Sequence, residues 1–407
     1  MEATTTTERL LSKEFIILNL IFLSASTVTA IFFQFHRYLS FIGVRDDWSG
    51  FIIAADALPA LVIQPVLGVL LSGRNARKWL FIGILGMIFA LLMYGLAHTV
   101  PALIAVRLLQ GAGFACLVAA MMVLTVNYIP PKKSGMAFGI ISTVRLIPYA
   151  FVPPIMGIYF FAPRDFTKAL IYGAIPLIFS LLSVALIRPY YSEACQTDSG
   201  HPFNVKDLYE NIKNPSVLVV LLLNLLLYSG YTTVFFFFEG YSRTVGSNNP
   251  GMFFTVATVA MMTIRIFGSA MFDRFSKPHI TFICMSGLII CYAALPFTSF
   301  SSIFYALALF TGLGWGIVMP VLNALMFEVS YPRFRGLNLN LSLVMVQGGF
   351  FVGPFLGGLV YGWLGYSMLF YFCAFLSLIS AVFTLLIIDS TNKSPKDIDM
   401  SSKEKTI

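Results

Sequence analysis

Four ionisable side chains sit inside long apolar runs of this chain, and they carry the most chemistry its sequence offers: Asp56, Arg107, Arg145 and Arg265. A charge at the middle of a bilayer costs at least about 2.5–3.5 kcal/mol, so it must face a partner or a polar cavity. At a helical rise of ~1.5 Å per residue, Asp56 would lie roughly 12 Å in from one face, Arg107 about 9 Å from the same face and Arg145 about 14 Å from the opposite one. The three share a depth to within a turn or two, so Asp56 is expected to pair with Arg107 or Arg145. Protonation would break that pairing, which is the alternation a proton-coupled carrier needs. A static buried pair is the plainer alternative. Gln110, one turn on from Arg107, belongs with this coupling set. Arg265, about 21 Å from the outer face, would meet an anionic substrate or snorkel toward the inner gate; the second reading is preferred.

The elements that must position these residues follow from composition. Apolar residues make up 58% of the 407 and charged residues 11%, against about a quarter charged in soluble domains. Twelve stretches have the ~20 apolar residues a spanning helix requires: 15–37, 48–72, 79–97, 101–127, 136–161, 167–187, 216–238, 251–272, 279–297, 301–327, 338–363 and 367–388. A barrel would instead alternate in strands of about ten residues. With the N-terminus placed in the cytoplasm, eighteen Lys and Arg fall on the inner side and five on the outer, the remaining three lying in the membrane. The positive-inside rule then sets both termini in the cytoplasm, and the net charge of +8 is a topology signal rather than a nucleic-acid footprint. The five Cys lack metal or disulfide spacing, so small core roles are expected of them. No phosphate-cradling Gly loop, metal cluster or nucleophile–base spacing occurs. No enzyme, metal or cofactor is expected, and the polar first residues suggest no removable signal peptide.

A shift of 201 residues superposes much of the chain's punctuation on itself. Gly50 falls on Gly251, Gly86 on Gly287, Gly111 on Gly312, Gly113 on Gly314, Gly135 on Gly336, Pro153 on Pro354 and Gly157 on Gly358. Six of the fourteen Gly in residues 1–206 land on Gly, where composition alone gives about one. The expected architecture is therefore all-α: twelve transmembrane helices in two like-oriented six-helix bundles, 14–188 and 216–388. A cytoplasmic tail (1–13), a linker (189–215) and a second tail (389–407) complete the chain. Within the linker, Val205, Leu208 and Ile212 have the spacing of a short amphipathic surface helix. Parallel repeats of this kind place substrate at their interface and work by rocking one half against the other. Gly at helix faces lets backbones approach closely, while Pro153, Pro154 and Pro354 bend their helices. Glu239 and His36 are expected to flank the outer mouth.

These residues resemble the major facilitator superfamily. Its R-x-x-Q-G-x-G motif stands here as Arg107, Gln110, Gly111 and Gly113. A Gly-rich pattern with a central Pro appears in the eleventh span as Gly349, Gly353, Pro354, Gly357 and Gly358, whereas the fifth span has only Pro153, Pro154 and Gly157. The resemblance implies cavity walls from spans one, four, seven and ten, where Asn19, Gln34, Asn224, Tyr228, Tyr231, Trp315 and Asn323 lie among many Phe. That mixture suits a moderately amphipathic organic solute. It also implies an inner gate latch of Asp273, Arg274, Glu328 and Arg335, whose exposed pairs would contribute only ~0–1 kcal/mol each and so break every cycle. The implied function is secondary transport by alternating access: export of a small organic compound driven by the proton gradient, from a multi-pass monomer in the cell's inner or plasma membrane among its lipids. An organic-anion importer or exchanger is the alternative, and a transport-inactive sensor or scaffold the alternative of another class.

Overall fold

The computed structural model describes residues 12–72, 74–129, 134–160, 162–188, 214–268, 275–298, 302–331 and 334–392. Among them every regular element is helical. The first span is α1 (Lys13–Ile31) running through a 3₁₀ turn (Phe32–Gln34) into α2 (Phe35–Phe41). It is followed by α3 (Asp46–Ala54), α4 (Ala57–Leu70), α5 (Ala76–Met93), α6 (Val100–Tyr128), α7 (Ser134–Tyr159) and α8 (Phe166–Val184). The second half holds α9 (Pro215–Thr244), α10 (Met252–Phe267), α11 (Lys277–Ala294), α12 (Ser302–Val329) and α13 (Arg335–Asn392). Among the described residues ten helical stretches are long and apolar enough to cross a membrane, α10 is a shorter apolar helix, and α13 breaks at Gly365, whose φ of 77° only a residue without a side chain adopts readily. The helix also extends to Asn392, past the expected start of the tail at 389. The predicted linker helix lies outside the described residues.

Local chemistry explains the helix starts. The Ser12 hydroxyl accepts from the Phe15 amide at 3.1 Å, and the Asn214 side chain accepts from Ser216 at 3.1 Å just ahead of Pro215; both satisfy amides that a helix start leaves unpaired. Large apolar side chains such as Val62, Phe179, Phe267 and Trp363 cover the outside, where lipid rather than water must solvate them.

The 201-residue repeat is visible as repeated packing. A β-carbon on Gly111 of α6 would overlap the backbone carbonyl of Asp56; one on Gly312 of α12 would overlap that of Ala257, the residue 201 positions on. Across the halves, Gly50 lies against Pro354 and Gly358 of α13, and Gly251 lies against Pro153 and Pro154 of α7. Thr255 adds a hydrogen bond to the Ala150 carbonyl at 2.7 Å, and Asn249 one to the Pro154 carbonyl at 3.3 Å. These contacts gather at the end of the molecule away from the chain termini, here called the far end. Phe51 against Phe351 and Phe355, and Phe33 against Phe235 and Phe254, close it with rings.

Candidate functional site

The second span is two helices, because α3 and α4 are separated at Ala55 and Asp56. Pro59 stands in the first turn of α4 and has no N–H to offer the chain before it. The break frees backbone carbonyls inside an apolar bundle, where each needs a donor. Arg107 of α6 supplies them: its Nε donates to the Ile52 carbonyl at 3.3 Å and an Nη to the Ile53 carbonyl. The same guanidinium pairs with the Asp56 carboxylate at 2.9 Å and reaches the Gln110 side-chain oxygen at 3.4 Å, which also accepts from the Tyr94 hydroxyl at 2.7 Å. The rings of Phe32 and Phe35 lie 4.7 and 5.0 Å from its central carbon, so the charge is held by π-faces as well as oxygens. Gly111 brings α6 against the break, and Gly113 brings it against α5, where an added β-carbon would lie 2.8 Å from the Gly83 carbonyl oxygen. The Arg107 side chain is fully buried whereas that of Asp56 is 26% exposed. Of the pair, only the acid has accessible surface.

The repeat preserves this packing and drops its charges. Positions 257 and 308, the partners of Asp56 and Arg107 under the shift, are both Ala.

A second cluster lies where the halves face each other. Arg145 of α7 is exposed although it stands mid-helix, with its guanidinium 5.6 Å from the Phe22 ring centre. Arg265 of α10 donates to the Gly316 carbonyl at 3.3 Å and to the Met319 sulfur at 3.2 Å. The two cations come from opposite halves, and in the second half Tyr228 lies edge-on to Tyr231 at 6.3 Å. Tyr149, one turn on from Arg145, packs its ring on Phe235 at 5.4 Å. Tyr231 stands edge-on to Trp315 at 4.8 Å, and Trp315 Nε1 donates to the Tyr292 hydroxyl at 2.8 Å. Among the described residues no carboxylate pairs with Arg145 or Arg265.

At the far end Glu239 of α9 is 2% exposed and accepts from Arg243 at 2.6 Å and from Arg37 of α2 at 3.2 Å, an ion pair that crosses the halves. His36 lies between the rings of Phe237 and Tyr361. At the termini end Glu328 pairs with Lys277 of its own half, and Arg335 lies 4.1 Å from the Phe327 ring; Asp273 and Arg274 lie outside the described residues. Asn19 and Asn224 are buried and donate to the Phe15 and Val220 carbonyls of their own helices, Gln34 is buried, and Asn323 is exposed. Tyr94, Tyr149, Arg37 and Arg243 were not among the expected site residues. Two of them stood in helical register with residues that were: Tyr149 four places after Arg145, and Arg243 four places after Glu239.

The profile of the Major Facilitator Superfamily matches residues 15–343 and again 251–405. The chain belongs to the Major Facilitator Superfamily. It is a multi-pass membrane transporter, not an enzyme. Among curated relatives, the multi-drug resistance efflux pump PmrA of Streptococcus pneumoniae serotype 4 (strain ATCC BAA-334 / TIGR4) is 24% identical over 351 residues, covering 83% of this chain and 86% of that one. The staphylopine export protein of Staphylococcus aureus (strain Mu50 / ATCC 700699) is 21% identical over 384 residues, covering 91% and 94%. A solved structure, that of a D-xylose-proton symporter, matches with a TM-score of 0.74 at 14% identity, covering 91% of this chain and 96% of that one.

Proposed function

We propose that this transporter exports a small organic solute against its gradient, driven by protons, through alternating access of two six-helix bundles (14–188 and 216–388) joined by the linker 189–215. In this reading the chain crosses the cell's inner or plasma membrane twelve times, with α10 and the two parts of α13 each spanning, and both termini lie in the cytoplasm. The observation that carries it is the Asp56–Arg107 pair, in which the acid alone has accessible surface and which the second half lacks. Protonating Asp56 removes the countercharge from Arg107, whose remaining bonds run to the Ile52 and Ile53 carbonyls at the break in the second span. A proton on Asp56 thus bears on the angle between α3, which packs on α13 across the halves, and α4. The export activities of the curated relatives support the direction, and the named coupling of the symporter supports the driving ion. The far-end closure, together with a mid-span arginine open to solvent, fits a cleft facing the cytoplasm. Import or exchange of an organic anion is the second reading, favoured by Arg145 and Arg265, which no carboxylate among the described residues pairs.

The test compares the metabolites inside and outside cells that carry the protein, its Asp56→Asn and Asp56→Ala variants, or none. A compound moved outward by the unaltered protein should stop moving in both variants and on addition of a protonophore. Gradient-driven export that persists in both variants would remove Asp56 from the coupling step.

A further inference from the structure

We infer that Tyr94 is a positioning residue of the coupling site: through Gln110 it keeps a neutral acceptor beside Arg107 for the state in which Asp56 carries a proton. This inference rests on the coupling reading above and adds to it a residue that governs when the proton is taken. The Tyr94 hydroxyl donates to Gln110 Oε1 at 2.7 Å, and Arg107 donates to the same oxygen at 3.4 Å. The second bond is long while the guanidinium holds the Asp56 carboxylate at 2.9 Å, so the oxygen stands within reach and is little used. The ring of Tyr94 is fixed. It is fully buried at the end of α5, with the ring centres of Phe32 and Phe35 at 5.5 and 5.8 Å, and the same two rings flank Arg107. Gln110 is buried as well. Asp56, Tyr94, Arg107 and Gln110 also stand as one set: 201 positions on, the second half has Ala257, Leu295, Ala308 and Thr311.

The consequence follows from charge. A proton on Asp56 leaves the buried Arg107 without a countercharge, which is costly unless neutral oxygens take its hydrogen bonds. Two of these are the Ile52 and Ile53 carbonyls, which it already holds. The third is Gln110 Oε1, kept in place by Tyr94. An oriented oxygen there stabilises the protonated form; without the phenol, Gln110 is free to turn and that support is lost. The other charged and titratable groups about Asp56 are few. From α2 come His36, set between Phe237 and Tyr361, Arg37, paired with Glu239, and Tyr38, stacked on Phe35 at 6.4 Å. Helix α13 packs on α3 and α4 but carries no ionisable side chain between Arg335 and Tyr361. Asp46 and Asp47 stand at the far start of α3, and Tyr149 of α7, one turn from Arg145, is in electrostatic reach. None of these is altered in the comparison of Tyr94 and Gln110 variants.

The experiment uses the full chain, purified in detergent, and infrared difference spectra recorded across a pH titration. The band of the protonated Asp56 carboxyl is the one that Asp56→Asn removes, and its midpoint is the readout. Tyr94→Phe, which keeps the ring and loses only the hydroxyl, should move the midpoint to lower pH by about half a unit. Gln110→Leu should move it at least as far in the same direction. In the Gln110→Leu background Tyr94→Phe should move it no further, because the two side chains act through one oxygen. A tyrosine that merely filled space would shift the midpoint equally with or without Gln110. An unchanged or raised midpoint in Tyr94→Phe overturns the inference, as does a shift that survives in the Gln110→Leu background. An unmoved midpoint in Gln110→Leu overturns it too, whether or not Tyr94→Phe folds. If Asp56→Asn removes no band, the inference and the coupling reading fall together. If the band behaves as stated while both Asp56 variants still export solute with the gradient, the coupling reading falls alone.

Discussion

At the scale of single residues, Arg107 is the point on which the first half turns. One guanidinium serves two broken-helix carbonyls, one carboxylate and one amide oxygen. Removing one partner of a buried pair costs about 3–5 kcal/mol. Arg107→Ala, which orphans Asp56 and both carbonyls, should therefore lower the thermal unfolding midpoint in detergent by several degrees. Asp56→Asn keeps an oxygen near the guanidinium, so it should unfold close to the unaltered chain while losing proton-driven transport. Equal midpoints for Arg107→Ala and Asp56→Asn would argue against this division of roles. Arg107, Gln110 and Gly111 were legible as a set because they share one helix face, with Gly113 turned toward α5. Tyr94 was not, since it reaches Gln110 from another helix and no local spacing links the two. The break itself was written in Asp56 and Pro59, an acid at a helix start followed by a proline in its first turn. It was read through as one continuous span because the apolar run around it is unbroken.

At the scale of helices, the glycines divide by what they touch. Gly111 and Gly312 pack within a half; Gly50 and Gly251 pack between halves. The same substitution should thus have two outcomes. Gly111→Ala has the Asp56 backbone in its way and should reduce the yield of folded protein. Gly251→Ala meets the Pro153–Pro154 backbone of the other half, which the molecule relieves by parting its far end. It should fold, yet label more readily at far-end cysteines. Gly139→Ala has nothing within 4 Å of the added carbon and should be neutral or stabilising by up to about 1 kcal/mol. Thermal unfolding of the three variants and thiol labelling of the second check this; equal effects in all three would contradict it. The 201-residue repeat announced which glycines correspond, because close packing demands Gly wherever it recurs. Which of them face the other half depends on how the bundles meet, and periodicity along one chain carries no record of that.

At the scale of the whole molecule, the far end is held by rings, by close-packed Gly–Pro contacts and by the Arg37–Glu239 pair, while the paired Glu328 and Lys277 at the termini end stay within one half. Arg37 stands far in sequence from Glu239 and Arg243, so a strut joining the first and seventh spans emerged only from the assembled fold. A strut contributing about 1 kcal/mol changes the ratio of two conformations about fivefold. Glu239→Gln should accordingly raise far-end thiol labelling by about that factor, and an unchanged rate would show that the pair bears no load. The central claim is that one cleft opens to either side in turn, and Ser142 reports on it. It lies one turn before Arg145, on the face that Tyr149 also shares. In a chain with its five cysteines replaced, Ser142→Cys should react with an impermeant maleimide added on the termini side. In the Glu239→Gln background it should also react from the far side, at the expense of the first. Reaction from one side alone, whatever the background or the pH gradient, would contradict the account.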